Sequence, residues 1–356
     1  MERIDVQRQR QQWGVAAFLV ILSSVSLSTG CERRPPLEEK AYVAPERLKL
    51  KSSTAQAARY IAELPGGTLV TITDREASDE GILWAEIRGP QPENRVGWVE
   101  ARFLVNAQLV ESSRQLEAQI RSIPTQAHGR SKATLKVRLT PDRAGEENVV
   151  TVVPSGSLLE IVGRERHPRP PTSPSTPNEG ENPLLPSLSS APPDQKFDDW
   201  YLVRTQSLPI APAGWIYGGS VMLDVPPEIA YFVSDGRRIT GWQKLGSAAD
   251  EFGRSGDHYL VLEHRIAGGQ ENLDYDRLKI LAYDPLTRGY RTPFREDLAG
   301  RYPVSLSMLG SRGYLEFSAA DRSGQVRPYR YQLDLDAAGS IRTSRLAPPP
   351  DRIRRR

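Results

Sequence analysis

Along most of the chain apolar and polar residues alternate singly, the two-residue period of a strand with one face turned to a core. Leu69, Thr71 and Thr73 alternate with Val70, Ile72 and Asp74, and Trp84, Glu86 and Arg88 alternate with Ala85 and Ile87. Gly66-Gly67 and Ser155-Gly156 supply the positive φ of a tight turn before a strand. From about Glu228 the β character persists through Tyr259–Ile266, Leu278–Tyr283, Gly289–Phe294, Val304–Leu309, Tyr314–Ser318, Tyr329–Leu335 and Ile341–Arg345. A turn at Asp284–Arg288 makes one hairpin of the second and third of these runs. Helical spacing occurs between Asn106 and Ile123, with apolar positions at 109, 116 and 120, and predicts a short helical spacer over 106–124 ended near Pro124.

Two stretches break the alternation. His167–Lys196 is dense in proline and serine and has no period, which predicts a disordered or polyproline-II loop between two strands. Near the start, a polar segment with Arg3, Arg8 and Arg10 precedes the apolar run from Trp13, followed by Ser23-Ser-Val-Ser-Leu-Ser-Thr-Gly-Cys31. Such a run, about 15 residues or about 22 Å as a helix, falls short of the hydrocarbon thickness and reads as a signal peptide.

The small residues before Cys31 resemble the lipobox of bacterial lipoproteins, although Ser28 stands where that family prefers Leu. The resemblance implies cleavage between Gly30 and Cys31, lipid attachment at Cys31, acylation of the new N-terminus and a membrane tether through the lipid anchor. Glu32, not Asp, follows the cysteine; by the family's sorting pattern that implies the periplasmic side of the outer membrane rather than the inner. An uncleaved anchor, or secretion with an unmodified Cys31, fits the same run. Each of the three carries the body of the chain out of the cytoplasm.

Self-comparison finds a tandem repeat. Leu48-Lys-Leu-Lys, Pro65-Gly-Gly-Thr, Trp84 and Gly97-Trp98-Val of one copy match Leu135-Lys-Val-Arg, Pro154-Ser-Gly-Ser, Trp200 and Gly214-Trp215-Ile of the other. This order resembles the bacterial SH3-like domain, over residues 42–105 for the first copy and 134–223 for the second, which also carries the insertion at about 167–196. The fold expected is all-β: two small SH3-like barrels, the helical spacer, and a C-terminal antiparallel β domain over 228–346 shaped as a small barrel, sandwich or propeller-like sheet. That last part loosely resembles the C-terminal β domain found after SH3-like modules in some bacterial lipoproteins. The SH3-like resemblance implies a groove for an extended peptide floored by aromatic faces, with Tyr42, Trp84 and Trp98 in the first copy and Trp200, Trp215 and Tyr217 in the second. The competing role for each tryptophan is to fill the core of its barrel.

Composition narrows the functional classes. Lys plus Arg number 47 against 44 for Asp plus Glu, a net charge of +3, so no basic field for nucleic acid exists. The one cysteine leaves no disulfide framework. Four histidines, His128, His167, His258 and His264, show no metal-binding spacing, and neither a nucleophile elbow nor a phosphate-cradling glycine loop occurs. Tyr283, Tyr290, Arg291, Arg295 and Glu296 read as a polar face or as ordinary cross-strand pairs, and Arg352–Arg356 as a basic disordered tail over 347–356. The chain is therefore expected to be non-enzymatic, without cofactor or metal. Its expected partners are peptidoglycan stem peptides or an envelope protein; the alternative is a structural or assembly lipoprotein acting through its C-terminal domain.

Overall fold

A computed structural model describes residues 39–346, apart from 56, 91–93, 144, 169–196, 206–207, 267–272, 321–322 and 337–339. Gly30, Cys31, the apolar run before them, nearly all of the proline-rich insertion and the arginine tail lie outside the described residues. Within them the chain is all-β, arranged as three seven-stranded antiparallel sheets.

The first sheet is built from β1 (Glu39–Val43), β2 (Arg47–Lys51), β3 (Tyr60–Pro65), β4 (Leu69–Ala77), β5 (Leu83–Arg88), β6 (Val96–Glu100) and β7 (Leu104–Asn106), in the order β3-β2-β6-β5-β4-β1-β7. The second is built from β8 (Ala127–Ser131), β9 (Leu135–Arg138), β10 (Val149–Val153), β11 (Leu158–Pro168), β12 (Phe197–Thr205), β13 (Ala213–Tyr217) and β14 (Val221–Leu223). Its order, β10-β9-β13-β12-β11-β8-β14, repeats the first strand for strand. Each has a three-residue 3-10 turn, Ala101–Phe103 or Gly218–Ser220, before its last strand. The orders are open, with β3 and β7, or β10 and β14, at the ends; no closed barrel is formed among the described residues.

Both sheets nevertheless curl around a core. Ala41, Leu50, Ala62, Ile72, Ile87 and Val99, from the first six strands of the first sheet, meet in one cluster, which a flat sheet could not bring about. Two glycines in each sheet make the tight places. Gly67 and Gly156 hold φ of +77 and +83 at the turn before β4 and β11, where a side chain would be strained. Gly97 and Gly214 lie where β6 crosses β2 and β13 crosses β9. A Cβ there would stand 2.7 Å from the Lys51 carbonyl oxygen and 2.9 Å from that of Arg138. The glycine of the repeated Gly-Trp pair is thus a steric requirement of the crossing.

Between these sheets runs α1 (Ala107–Ile120). The Asn106 side chain caps it by accepting from the Gln108 N–H at 2.7 Å. Its buried face is Val110, Ser113 and Ile120, with Leu109 and Leu116 half-covered. Ser113 donates to the Ala213 carbonyl at 2.5 Å, so a small polar residue sits where the apolar spacing alone would place a hydrophobe. At the other end Arg204 donates to the carbonyls of Ile120 (3.2 Å) and Ile123 (2.9 Å) and pairs with Glu160 at 2.9 Å. It satisfies acceptors that a helix end leaves open.

After a single helical turn, α2 (Pro227–Ala230), the third sheet is a meander in chain order: β15 (Arg237–Ala249), β16 (Ser255–Arg265), β17 (Tyr275–Asp284), β18 (Gly289–Leu309), β19 (Arg312–Ala320), β20 (Val326–Leu335) and β21 (Ile341–Leu346). It curls, because one cluster takes Leu245, Leu262, Ile280, Val304, Phe317, Leu333 and Ile341, a side chain from every strand. Its ends do not pair, so it too is open. On the opposite face Trp242, Tyr259, Val261 and Leu281 join Ile161, Val203 and Ile216 of the second sheet in a single core. Farther along that face the buried Lys279–Glu263 pair (2.5 Å) accepts the Ser234 N–H and ties the α2 segment to the sheet.

Polar contacts close the junction. Gln126 is fully buried; its backbone carbonyl accepts from Trp242 N–H at 2.7 Å. Its side chain accepts from Val304 N–H at 2.8 Å and donates to the Val304 carbonyl at 3.1 Å. Nearby, the Arg164 side chain, 4% exposed, pairs with Asp199 at 2.7 Å and Asp274 at 3.4 Å. Burial pushes the Asp274 carboxyl above its ordinary range, against the Tyr302 N–H and Arg164, which favour its charged form.

Candidate functional site

Strand register makes the tryptophans equivalent in pairs. Trp84 on β5 opposes Glu76 on β4 and Glu100 on β6, while Trp200 on β12 opposes Glu165 on β11 and Tyr217 on β13. Trp98 opposes Glu86 and Lys51; Trp215 opposes Leu202 and Arg138. Each sheet therefore holds one tryptophan on its fifth strand and one on its sixth, the latter beside a cation at the end of the second strand.

Trp84 borders a cavity of about 500 Å3, walled by the loop after β2, the β4–β5 hairpin and the end of β6. Its indole is 5% exposed, and the Lys51 ammonium lies 5.1 Å from the ring centroid. Carboxylates at Glu76, Asp79, Glu80 and Glu100 line the rest. The Asp79-Glu80-Gly81 hairpin tip, with Gly81 at φ +76, supplies two of them.

Trp200 borders the corresponding cavity of the second sheet, about 410 Å3, walled by Thr140–Arg143, His167 and Asp198. Trp200 is 2% exposed and meets Tyr217 edge to face at 6.0 Å. The Arg143 guanidinium lies 4.0 Å from the Tyr217 ring centroid and its Nε is 2.8 Å from buried Asp198. This rim is a bridged ion pair over an aromatic pair, in contrast to the carboxylate-rich rim of the first.

The six aromatic candidates do not share one floor. Tyr42 is buried against α1: its hydroxyl donates to Glu111 at 2.7 Å and accepts from Arg114 at 2.9 Å. It secures the helix. Trp98 is half-buried and Trp215 buried, and neither borders these cavities. Trp84 and Trp200 fill core positions and border a cavity at once. On the third sheet Tyr283 packs on Tyr290 across β17 and β18, Tyr331 donates to Glu296, Arg295 pairs with Asp297 on its own strand, and Arg291 donates to Ser340 just before β21. His258 is fully buried and accepts the Tyr283 N–H at 3.0 Å, whereas the His264 ring bonds the Arg265 carbonyl at 2.6 Å. Among the described residues no three His, Cys, Asp or Glu side chains are grouped to hold a metal, and no helix is long and apolar enough to cross a membrane.

Sequence reasoning missed Lys51, Glu76, Asp79, Glu80 and Glu100 in the first cavity and Arg143 and Asp198 in the second. The acidic Asp79-Glu80 pair before Gly81 is the signal that could have marked the rim.

No family model matches the chain, and no curated protein does. Among solved structures, NlpC2 from Trichomonas vaginalis is similar over 88% of this chain and 97% of its own, at 12% identity and a TM-score of 0.17. A score at that level carries no argument about fold or function.

Proposed function

We propose that this chain is an exported, non-enzymatic envelope lipoprotein, acylated at Cys31, whose two repeats are SH3-like modules that bind peptide. The ligands that fit are peptidoglycan stem peptides or an extended segment of an envelope protein. The observation that carries the reading is the pairing of the cavities. Two sheets of identical strand order each set a tryptophan at the same register position beside a cavity bordered by the loop after the second strand and by the facing ends of the fourth and fifth strands. Aromatic faces suit extended peptides because contact area is gained for little lost conformational freedom. A lipid tether would fix local concentration, so two weak grooves acting together suffice. Export and the anchor rest on the Trp13–Cys31 sequence, and the outer membrane on Glu32.

Purified sacculi test this. Truncating Trp84 or Trp200 to alanine is a poor probe, since both are core residues whose loss costs about 3–5 kcal/mol. Filling the cavities from their loops with Ala55→Trp and Pro141→Trp leaves the cores intact. The full chain in detergent is expected to sediment with sacculi and the folded double variant to stay in solution. Failure of the parent to bind, or equal binding by the variant, overturns the reading. A second reading, assembly through the third sheet, draws on the exposed Phe252 and Leu286 at hairpin tips joined by the Asp250–Arg288 pair; one stoichiometric protein partner lost on Phe252→Ser would favour it.

A further inference from the structure

In both repeats a cation lies over an aromatic ring beside the cavity, yet the two cations are not equivalent residues. In the first it is Lys51 at the end of the second strand, 5.1 Å from the Trp84 centroid. Arg138 holds that position in the second repeat, opposite Trp215 as Lys51 is opposite Trp98, and is used differently. It donates to the Gly145 carbonyl at 2.8 Å and to Asn148 at 2.6 Å, bracing the connection between β9 and β10. That connection delivers Arg143, whose guanidinium stands 4.0 Å from the Tyr217 centroid. The second repeat thus supplies its cation from a new place in the chain.

The seat of that guanidinium is fixed, whereas the guanidinium itself is accessible. Tyr217 meets Trp200 edge to face at 6.0 Å, and Gly219 leaves room for the ring, since a Cβ there would stand 2.7 Å from it. Beside the ring is Asp198, its side chain 1% exposed, opposite His167 in the β11–β12 register and 2.8 Å from Arg143 Nε. A carboxylate buried to that degree favours a positive partner, whatever its source. Arg143, by contrast, is 42% exposed on its loop, and both it and Asp198 line the cavity of about 410 Å3. An ion pair with one partner so exposed is weak and readily exchanged.

We infer that the Trp200 cavity is a guanidinium site, which Arg143 occupies in the free chain and which an arginine of a bound protein segment takes over. The planar guanidinium of the ligand lies over Tyr217 and pairs with Asp198, as that of Arg143 does. This rests on the peptide-binding reading above and names the side chain that the second groove takes. Arg143 is then a tethered competitor that lowers the affinity of its own site.

Removing the competitor tests it. N-acetyl-Ala-Arg-Ala-amide and its citrulline counterpart, which keeps the shape and loses the charge, are titrated by calorimetry. The protein is the full chain carrying Ala55→Trp, which fills the first cavity. Adding Arg143→Ala is expected to tighten the arginine peptide at least about fivefold, the share of open sites that an exposed ion pair withholds, and to leave the citrulline peptide unchanged. Asp198→Asn on top of Arg143→Ala is expected to erase the preference for arginine. Should that variant not fold, Tyr217→Leu, at a half-buried ring, is expected to reduce the preference about threefold. An Arg143→Ala protein that gains nothing for the arginine peptide, or gains equally for citrulline, overturns the guanidinium site and leaves peptide binding standing. Binding of neither peptide to either protein also overturns the inference, and the sacculi assay then decides whether the peptide reading falls with it.

Discussion

Gln126 offers a test of how the second and third sheets are joined. Its amide faces Val304 as a strand would, accepting from the N–H at 2.8 Å and donating to the carbonyl at 3.1 Å, and it donates also to the Pro124 carbonyl at 2.7 Å. In Gln126→Glu the oxygen toward Val304 N–H is kept, but the donor becomes an oxygen facing two carbonyls. Both Gln126 and Val304 are 0% exposed, so the carboxylate is stable there only when protonated, its single proton replacing one of the two lost N–H donors. A rise of about two pKa units above the ordinary Glu value of about 4.3 corresponds to about 2.7 kcal/mol. The sign follows from linkage. A group whose folded pKa is raised contributes fully below its unfolded pKa, and that contribution is lost as pH rises through the folded value. Near pH 4 Gln126→Glu is therefore expected to lie about 1 kcal/mol below the parent, for the one donor not replaced, and near pH 8 about 3 kcal/mol lower still. Gln126→Leu orphans the Val304 N–H at every pH and is expected to cost about 2 kcal/mol throughout. Urea midpoints of the three proteins across this range provide the measurement. A Gln126→Glu deficit that does not change with pH, or none at pH 8, refutes the account.

Two further outcomes follow from buried polar groups. Arg204→Met, which strips the last turn of α1 of its capping donors, is expected to cost about 1–2 kcal/mol and to speed amide exchange around Ile120; unchanged exchange there would count against the cap. Burial holds the His258 imidazole below its ordinary value, with Asp257 opposing and Arg291 adding to the shift. The unfolded chain therefore takes up the proton first, and stability should fall as pH drops below about 6.5. His258→Asn, whose carbonyl can still accept the Tyr283 N–H, should flatten that part of the melting-temperature profile; an unaltered slope would exclude His258 as its source.

Legibility in the sequence followed side-chain chemistry. Alternation at Val70 and Ile72 marks β4 because its buried face is apolar. Strand β8 has the same alternating burial but spends it on Ala127, Gly129 and Ser131, so no hydrophobic signal survives. β15 escaped detection because two register shifts move its inward face and because buried Arg237 and Thr240 occupy it. The runs Val304–Leu309 and Gly289–Phe294 look separate, yet β18 is continuous through a shift between Arg301 and Ser305. At the candidate site the repeated tryptophans were visible, but their doubled duty as core and cavity wall was not. The carboxylates that share a cavity with Lys51 come from the β4–β5 hairpin and the end of β6, and only the curl of the sheet assembles them.

The shared core of the second and third sheets sets the grain along which this chain can be cut and recombined. The first sheet curls over its own apolar cluster and meets the rest chiefly through Tyr42 and Val105, so a gene could gain, lose or duplicate it while baring a smaller surface. The second sheet has no such independence, since Trp242, Tyr259, Val261 and Leu281 complete its interior from the far side of the junction. Its inheritance, and any expression trial, is therefore bound to the C-terminal meander: the two repeats are alike in topology, but only one of them is portable.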